Sequence, residues 1–433
     1  MKLTLAFHGS RGDVQPGIAL GVELVSRGHD IVLAVPPNLV EFAGRSGLEA
    51  GAVGVDTAEL LRSSVVQRDM ASRNPRRRLA AITSMSVDGG RIMRQQLLEM
   101  SADADAIVGS SVGQESSLDV ADRLGAAYVP VHFCPVRRNG VASILPLPAV
   151  SPPWVRRTGW DAVDLTLHLA SRHAHGAMRS ELGLEPLTTS VAAHLARSAT
   201  TEIQAYDSAL FPGLADEWGD RRPLVGFLGP HRTTLRALDP APASLSEHVR
   251  AFLASGPPPV YVGFGSMTVP RGPALVNAIV GALRRAGRRI LLSTGWGDIG
   301  SRSAPDLATV GSVDHAALFP LCEAVIHHGG AGTTAAGLRA GKPTLVCHVG
   351  ADQPLWGRAV TAAGVGASVS ARSADAPTID AALSVVLRPQ TRVAASTLGR
   401  SMITPADAVG QCADLVERIA YRTSTRSESL RHV

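Results

Sequence analysis

Residues 324–334, Ala-Val-Ile-His-His-Gly-Gly-Ala-Gly-Thr-Thr, give the strongest sign of chemistry in the chain. An apolar strand runs into a glycine-rich turn and then opens a helix that continues through Arg339. Gly329, Gly330 and Gly332 let backbone N–H groups come close to an anion, and a helix start adds partial positive charge. An imidazole and the Thr333 hydroxyl can donate hydrogen bonds to phosphate oxygens. Together these groups would neutralise a departing diphosphate without a metal ion. The same run also fits a tight strand-to-helix turn that merely holds two buried histidines.

The elements that must position this turn form a regular rhythm. A chain of 433 residues exceeds what one hydrophobic core organises, so two domains are expected. Apolar runs at 3–7, 30–35, 106–109 and 127–133 alternate with helical patterns, including Ile18, Val22 and Val25 ahead of Gly28, and residues 115–124. Pro16 marks a helix start, where its missing N–H costs nothing. Further apolar runs at 260–264, 289–293, 306–310, 324–327 and 344–347 follow a proline-rich linker at 235–259. Strands and helices joined by short links predict parallel sheets covered on both faces. The predicted fold class is therefore α/β, with two Rossmann-like doubly wound domains facing a central cleft at the carboxyl ends of their strands. Residues 56–100, polar and helical at 91–100, and 136–157, rich in proline and tryptophan, read as insertions over that edge. The expected division is 1–235, 236–404 and a C-terminal stretch 405–433.

Composition removes several function classes. No run of eighteen apolar residues occurs, so no membrane-spanning helix is expected. Residues 1–7 read as a buried first strand rather than a signal sequence. Cys134, Cys322, Cys347 and Cys412 are scattered without a CxxC pair, which fits a reducing cytoplasm and no zinc site. The net charge of +5 comes mainly from arginine, much of it in pairs, and leaves open a weak peripheral contact with anionic membrane. Aromatics are only 4 % and do not interleave with those pairs, so no nucleic-acid partner is expected. Asp103-Ala104-Asp105 forms a DxD string but leads into an apolar strand, and is read as a helix end rather than a metal site.

His327-His328-Gly329-Gly330-Ala331-Gly332-Thr333, then Gly341-Lys342-Pro343 and Ala351-Asp352-Gln353-Pro354, resemble the donor-binding signature of the UDP-glycosyltransferase superfamily, which has the GT-B fold. Gly9-Ser10-Arg11-Gly12-Asp13-Val14-Gln15-Pro16 resembles the sterol and antibiotic (macrolide, glycopeptide) branch. The resemblance implies that Asp13 takes the acceptor's proton, which requires hydrogen-bond reach of the hydroxyl; a helix cap ahead of Pro16 is its plainer use. Ser10 would steady the acceptor or a phosphate. His328 and Thr333 match the phosphate-contacting histidine and hydroxyl, with Gly329, Gly330 and Gly332 around them and Ser266, in Gly263-Phe264-Gly265-Ser266-Met267, as a second phosphate ligand. Asp352 and Gln353 match the pair that holds sugar hydroxyls, although Pro354 also allows a simple surface helix start. Val313 matches the segment whose backbone meets the nucleobase. Ser312 stands where plant members carry a base-stacking tryptophan and Ala336 where they carry a ribose-binding glutamate, so UDP, dTDP and GDP all stay open. Trp296 is placed near the donor or in packing, and the stretch 405–418 would cross back onto the first domain.

The expected reaction is one in-line displacement at the anomeric carbon, with inversion, from a nucleotide diphosphate sugar to a hydroxyl of a lipophilic small-molecule acceptor. Developing charge on the diphosphate would be met by the donor loop rather than by a metal or a cofactor. A nicotinamide oxidoreductase is disfavoured because no GxGxxG follows the first strand. A non-catalytic relative that binds and activates another enzyme is the alternative, though such a protein could lose Asp13 or His328 and this chain keeps both. An epimerase of the same fold lacks its acidic and basic constellation here.

Overall fold

The computed structural model describes residues 1–63, 68, 69, 72, 74–148, 150–239, 245–265, 272–293, 304–311 and 313–431. Two six-stranded sheets organise the chain. The first contains β1 (Lys2–Ala6), β2 (Asp30–Val35), β3 (Glu49–Ala52), β4 (Ala106–Ser110), β5 (Ala127–His132) and β6 (Ile203–Gln204) in the order β3-β2-β1-β4-β5-β6. The second contains β7 (Val260–Gly263), β8 (Ile290–Ser293), β9 (Leu307–Val310), β10 (Ala324–His327), β11 (Thr344–His348) and β12 (Gly366–Ser370) in the order β12-β11-β10-β7-β8-β9. Every pairing between these strands is parallel. Strands buried on both faces need near-continuous apolar sequence, which Leu-Thr-Leu-Ala and Ala-Val-Ile supply. The strand order reverses between β1 and β4 and again between β7 and β10, and ligands of such sheets bind outside the carboxyl ends at these points.

The helices relevant to the site are α1 (Arg11–Ser26), α2 (Pro75–Met100), α3 (Gln114–Leu124), α4 (Pro153–Glu181), α5 (Ala331–Arg339), α6 (Gln353–Ala362) and α7 (Pro405–Arg431). Three sequence expectations change. Helix α1 starts at Arg11, so Pro16 lies inside it rather than at its first turn. The proline-and-tryptophan stretch opens into the long helix α4, which the sequence reading did not anticipate. The linker contains helices Arg232–Leu238 and Glu247–Ala254 on either side of 240–244, which lie outside the described residues.

Helix α7 lies in the core of the first sheet. Ala408, Val409, Cys412, Ala413, Val416 and Ala420 pack with residues of β1, β2 and α1. Its polar face is pinned by Arg27, whose Nη1 lies 2.6 Å from Asp414 and 3.0 Å from Glu417, and by His29 Nε2 at 2.8 Å from Glu417. No helix among the described residues is long and apolar enough to cross a membrane.

Candidate functional site

At the reversal point of the second sheet, β10 delivers the double histidine to the start of α5. His327 is fully buried, and its Nδ1 accepts a hydrogen bond from the Gly329 N–H at 2.9 Å. Gly329 has φ +94°, and a Cβ there would stand 2.6 Å from Val346 Cγ1, so only glycine fits this turn. The half-buried His328 ring lies over the next residue: a Cβ on Gly330 would be 2.6 Å from its Nε2. Gly330 is the N-cap of α5 and provides no side-chain cap, which leaves the first-turn N–H groups for another acceptor. Thr333, half-exposed, stands in that first turn beside the exposed Gly332, while the buried Thr334 Oγ1 donates inward to the Gly330 carbonyl at 2.9 Å. Burial draws the proton affinity of His328 down to about 4, so its ring is neutral near pH 7 and donates through one N–H. The end of β7 reaches the same ring, since a Cβ on Gly265 would be 3.7 Å from His328 Cε1. Ser266 follows immediately and lies outside the described residues, as do Ser312 and Trp296.

At the reversal point of the first sheet, β1 leads through His8 and Gly9 into α1. Ser10 is the N-cap of that helix, and its Oγ accepts from the Gly12 N–H at 3.2 Å. Asp13, in the first turn and half-buried, closes the capping box: its Oδ2 accepts from the Ser10 N–H at 2.7 Å and from the Ser10 hydroxyl at 3.0 Å. The carboxylate thus braces the helix start, and the cap belongs to Ser10. Burial raises the Asp13 carboxyl to about 6; the Ser10 N–H pulls it back, and the negative charge of Asp352 pushes it up again. Asp13 of the first half therefore lies within the field of Asp352 of the second, and both charges act on the Cys134 thiol. Arg11 does the same from the other side, because it and His328 both act on the charge of His315.

Asp352 is half-buried at the N-cap of α6, where its Oδ2 accepts from the Trp356 indole N–H at 2.7 Å. The residue before it, Ala351, has φ +54°, a left-handed conformation that costs a side-chain-bearing residue about 1–3 kcal/mol. Gln353 is buried, and its Oε1 accepts from the Val349 N–H at 2.8 Å and the Gly350 N–H at 3.4 Å. Its carbonyl end is therefore used to hold the turn that presents Asp352. Val313 turns its side chain onto the core beneath β8 and β9, ahead of the short helix His315–Leu318. The structure thus gathers His328, Gly330, Thr333, Asp13 and Asp352 around the carboxyl ends of both sheets, and sends the side chains of Val313 and Gln353 into packing.

The sequence reading missed three neighbours. Arg11 stacks 4.7 Å over the Phe42 ring and pairs with Asp239 at 3.4 Å. His315 stacks on Phe319 at 4.4 Å, and burial lowers its proton affinity to about 4. Trp356, fully buried, is what orients Asp352. The only sign in the sequence was the adjacency of Arg11 to Asp13 and of Trp356 to the Asp-Gln pair.

Residues 3–113 match the glycosyltransferase family 28 N-terminal domain, and residues 297–415 match the erythromycin biosynthesis protein CIII-like C-terminal domain. The chain is 37 % identical over 424 residues to an uncharacterised glycosyltransferase of Mycobacterium tuberculosis, covering 98 % of this chain and 100 % of that one. It is 31 % identical over 430 residues to the vancomycin aglycone glucosyltransferase of Amycolatopsis orientalis, covering 94 % and 96 %. The crystal structure of glycosyltransferase VinC in complex with dTDP superposes on 98 % of this chain and 100 % of that one, with a TM-score of 0.64 at 17 % identity.

Proposed function

Because the chain belongs to the GT-B glycosyltransferases of the sterol and antibiotic branch, we propose that it moves a hexose or deoxyhexose, with inversion, from a nucleotide diphosphate to a hydroxyl of a lipophilic acceptor. Asp13 removes the acceptor proton through Oδ1, the oxygen not used by Ser10, and the alkoxide attacks the anomeric carbon opposite the diphosphate. Charge growing on the leaving phosphate is met by His328, Thr333 and the first N–H groups of α5, with Ser266 as a further ligand. Preorganised donors aimed at developing charge commonly provide the largest catalytic term, so this reaction needs neither a metal nor a cofactor. Asp352 receives sugar hydroxyls while Gln353 braces its turn, and the backbone at Val313 meets the base.

The carrying observation is the His328 ring lying over the uncapped start of α5. The dTDP in the VinC structure supports a nucleotide diphosphate donor, dTDP or UDP being the readings to test, and the aglycone in the name of the vancomycin relative supports a natural-product acceptor, with polyketides, macrolides and sterols as the classes to screen. Calorimetric titration with dTDP and UDP, followed by acceptor screening with the corresponding glucose donors, tests the reading. Binding of at least one nucleotide is expected, weakened about ten- to hundredfold in His328→Ala, the range of a hydrogen bond to a charged group, with transfer surviving EDTA and the product anomer inverted by NMR. Equal nucleotide binding by wild type and His328→Ala would sink it.

A further inference from the structure

One step along the sheet from β1, the carboxyl ends of β4 and β5 carry a hydrogen-bonded chain that the proposed reaction does not use. Ser111 Oγ lies 2.8 Å from His132 Nδ1, and His132 Nε2 lies 2.9 Å from Glu202 Oε2. His132 and Glu202 are fully buried, while Ser111 is half-exposed where β4 turns towards α3. Glu202 also accepts from Arg137 Nε and, at 2.8 Å, from Arg222 Nε. Burial alone would raise this carboxyl, but the two guanidiniums and His132 hold it well below the usual carboxylate range. It therefore carries no proton and can only accept.

The direction of every proton in the chain follows. Glu202 takes the Nε2–H of His132, which leaves Nδ1 as a bare lone pair on a ring that burial and Arg137 keep neutral, with proton affinity near 4. The Ser111 hydroxyl must then donate inward to Nδ1. What Ser111 turns towards solvent is lone pairs alone.

The surroundings point to a ligand. His8, 3 % exposed just beyond the end of β1, has neither ring nitrogen hydrogen-bonded among the described residues, and its Cδ2 would lie 2.9 Å from a Cβ on Gly113. Gly113 is the N-cap of α3 and gives that helix no side-chain cap. Strand register sets His8 and Ser111 at matching positions, two beyond the pair Ala6 and Gly109. The acceptor oxygen of Ser111, an orphaned imidazole and uncapped N–H groups therefore meet in one corner. A hydroxyl, which donates once and accepts twice, satisfies all three.

We propose that Ser111, fixed as a hydrogen-bond acceptor by His132 and Glu202, reads a second hydroxyl on the lipophilic acceptor, so that this enzyme prefers diols and polyols over their singly etherified forms. The inference rests on Asp13 taking the acceptor's proton, as proposed above, which sets the acceptor at the first sheet's carboxyl edge. Ser111 is the contacting residue; His132 and Glu202 position it. Gly109-Ser110-Ser111-Val112-Gly113 also spells the G-x-S-x-G of a serine nucleophile on a strand-to-helix turn. Two features favour the anchor. The strained backbone of such a nucleophile is absent, since Ala199 and Ala351 are the only non-glycine residues with positive φ among those described. A carboxylate already neutralised by two arginines also leaves His132 a poor base.

The test titrates 2,7-dihydroxynaphthalene and 7-methoxy-2-naphthol into the protein in the presence of dTDP. Wild type should bind the diol about five- to tenfold more tightly than the ether, the range of one hydrogen bond. Ser111→Ala should bind both alike, and Ser111→Thr should keep the preference. His132→Asn should lose the preference while binding dTDP as wild type does, a split that misfolding would not produce. Retention of the preference in Ser111→Ala or His132→Asn overturns the proposal, as does failure of both naphthols to bind a protein that binds dTDP. Covalent labelling of Ser111 by a fluorophosphonate also overturns it, because the hydroxyl would then be a nucleophile. Loss of dTDP binding by wild type would instead count against the donor reading.

Discussion

Asp13 closes the first turn of α1 through Oδ2 and, in the proposed reaction, also accepts a proton, and the two uses act oppositely on its charge. The Ser10 bonds favour the carboxylate, whereas burial and Asp352 favour the acid, and the balance at about 6 is near the working pH of a general base. The acceptor kcat/KM is expected to fall about tenfold per pH unit below 6 and level off above it. Asp352→Asn removes the neighbouring negative charge, so the rise should move to lower pH; a profile unchanged by that substitution would separate the two carboxylates. A folded-state pKa raised from 3.8 to about 6 gives stability that is complete below pH 3.8 and lost as pH rises through 6. Above that pH the buried charge burdens the fold. Asp13→Asn keeps an oxygen for the capping bonds, so it should cut transfer by about 10²–10⁴ yet melt higher than wild type at pH 8. Roughly 1–2 kcal/mol of stabilisation is expected there, vanishing by pH 4; a variant that melts lower at both pH values contradicts the argument. From the sequence Asp13 reads as a helix cap ahead of Pro16, whereas in the structure the cap is Ser10 and Asp13 closes its box. Its raised pKa was not legible there, because the burial that chiefly raises it and the charge of Asp352, more than three hundred residues away in the chain, both arise only on folding.

Helix α1 sits tightly against the strand that precedes it. A Cβ on Gly17 would stand 2.2 Å from Phe7 Cδ2 and 2.7 Å from Cγ, and Phe7 is completely buried beside Phe133 at 5.6 Å. A fixed ring of this kind cannot yield as a flexible side chain would. Gly17→Ala should therefore push α1 outwards, at a cost of about 1–3 kcal/mol, and move Asp13, one turn away, off the reacting hydroxyl. Calorimetry should show a lower Tm and kinetics a reduced kcat, with dTDP affinity unchanged because α5 belongs to the other sheet. Loss of stability with full kcat would uncouple this packing from catalysis. Elements were unevenly readable. The central strands were legible because burial on both faces forces unbroken apolar runs. Pro16 misplaced the start of α1: proline favours the first helical position, but the Ser10–Asp13 capping box opens the helix earlier, and Pro16 becomes its sixth residue. Helix α4 was missed since Leu165, Leu167 and Leu169 are exposed on it and supply no inward stripe at helical spacing. Strand β6, two residues long, carries no periodicity at all.

The two sheets are joined by one aromatic core, and this determines how the molecule as a whole unfolds. Trp356 of α6 is completely buried, with ring centroids 5.3 Å from Phe227, 5.7 Å from Phe211 and 6.1 Å from Tyr206, all from the chain before the second sheet. The Arg339 guanidinium donates to the Phe227 carbonyl at 2.6 Å, and the Ile403 N–H donates to Asp207 at 2.8 Å, so polar bonds surround the same contact. Aromatic residues are too few and too scattered for sequence periodicity to show that these would meet. A shared core of this size couples the halves, and wild type should melt in a single calorimetric transition. Trp356→Ala leaves a cavity at the junction, costing about 3–5 kcal/mol, and should split that transition in two as each half keeps its own sheet and core. Trp356→Phe retains most of the packing but removes the indole N–H that holds Asp352. It should cost less stability, keep one transition, and raise the donor KM with little change in nucleotide affinity, since the lost contact is to the sugar. Two transitions already present in wild type would mean that the aromatic contact seats the domains without coupling them, and the effect of Trp356 on Asp352 would then be purely local.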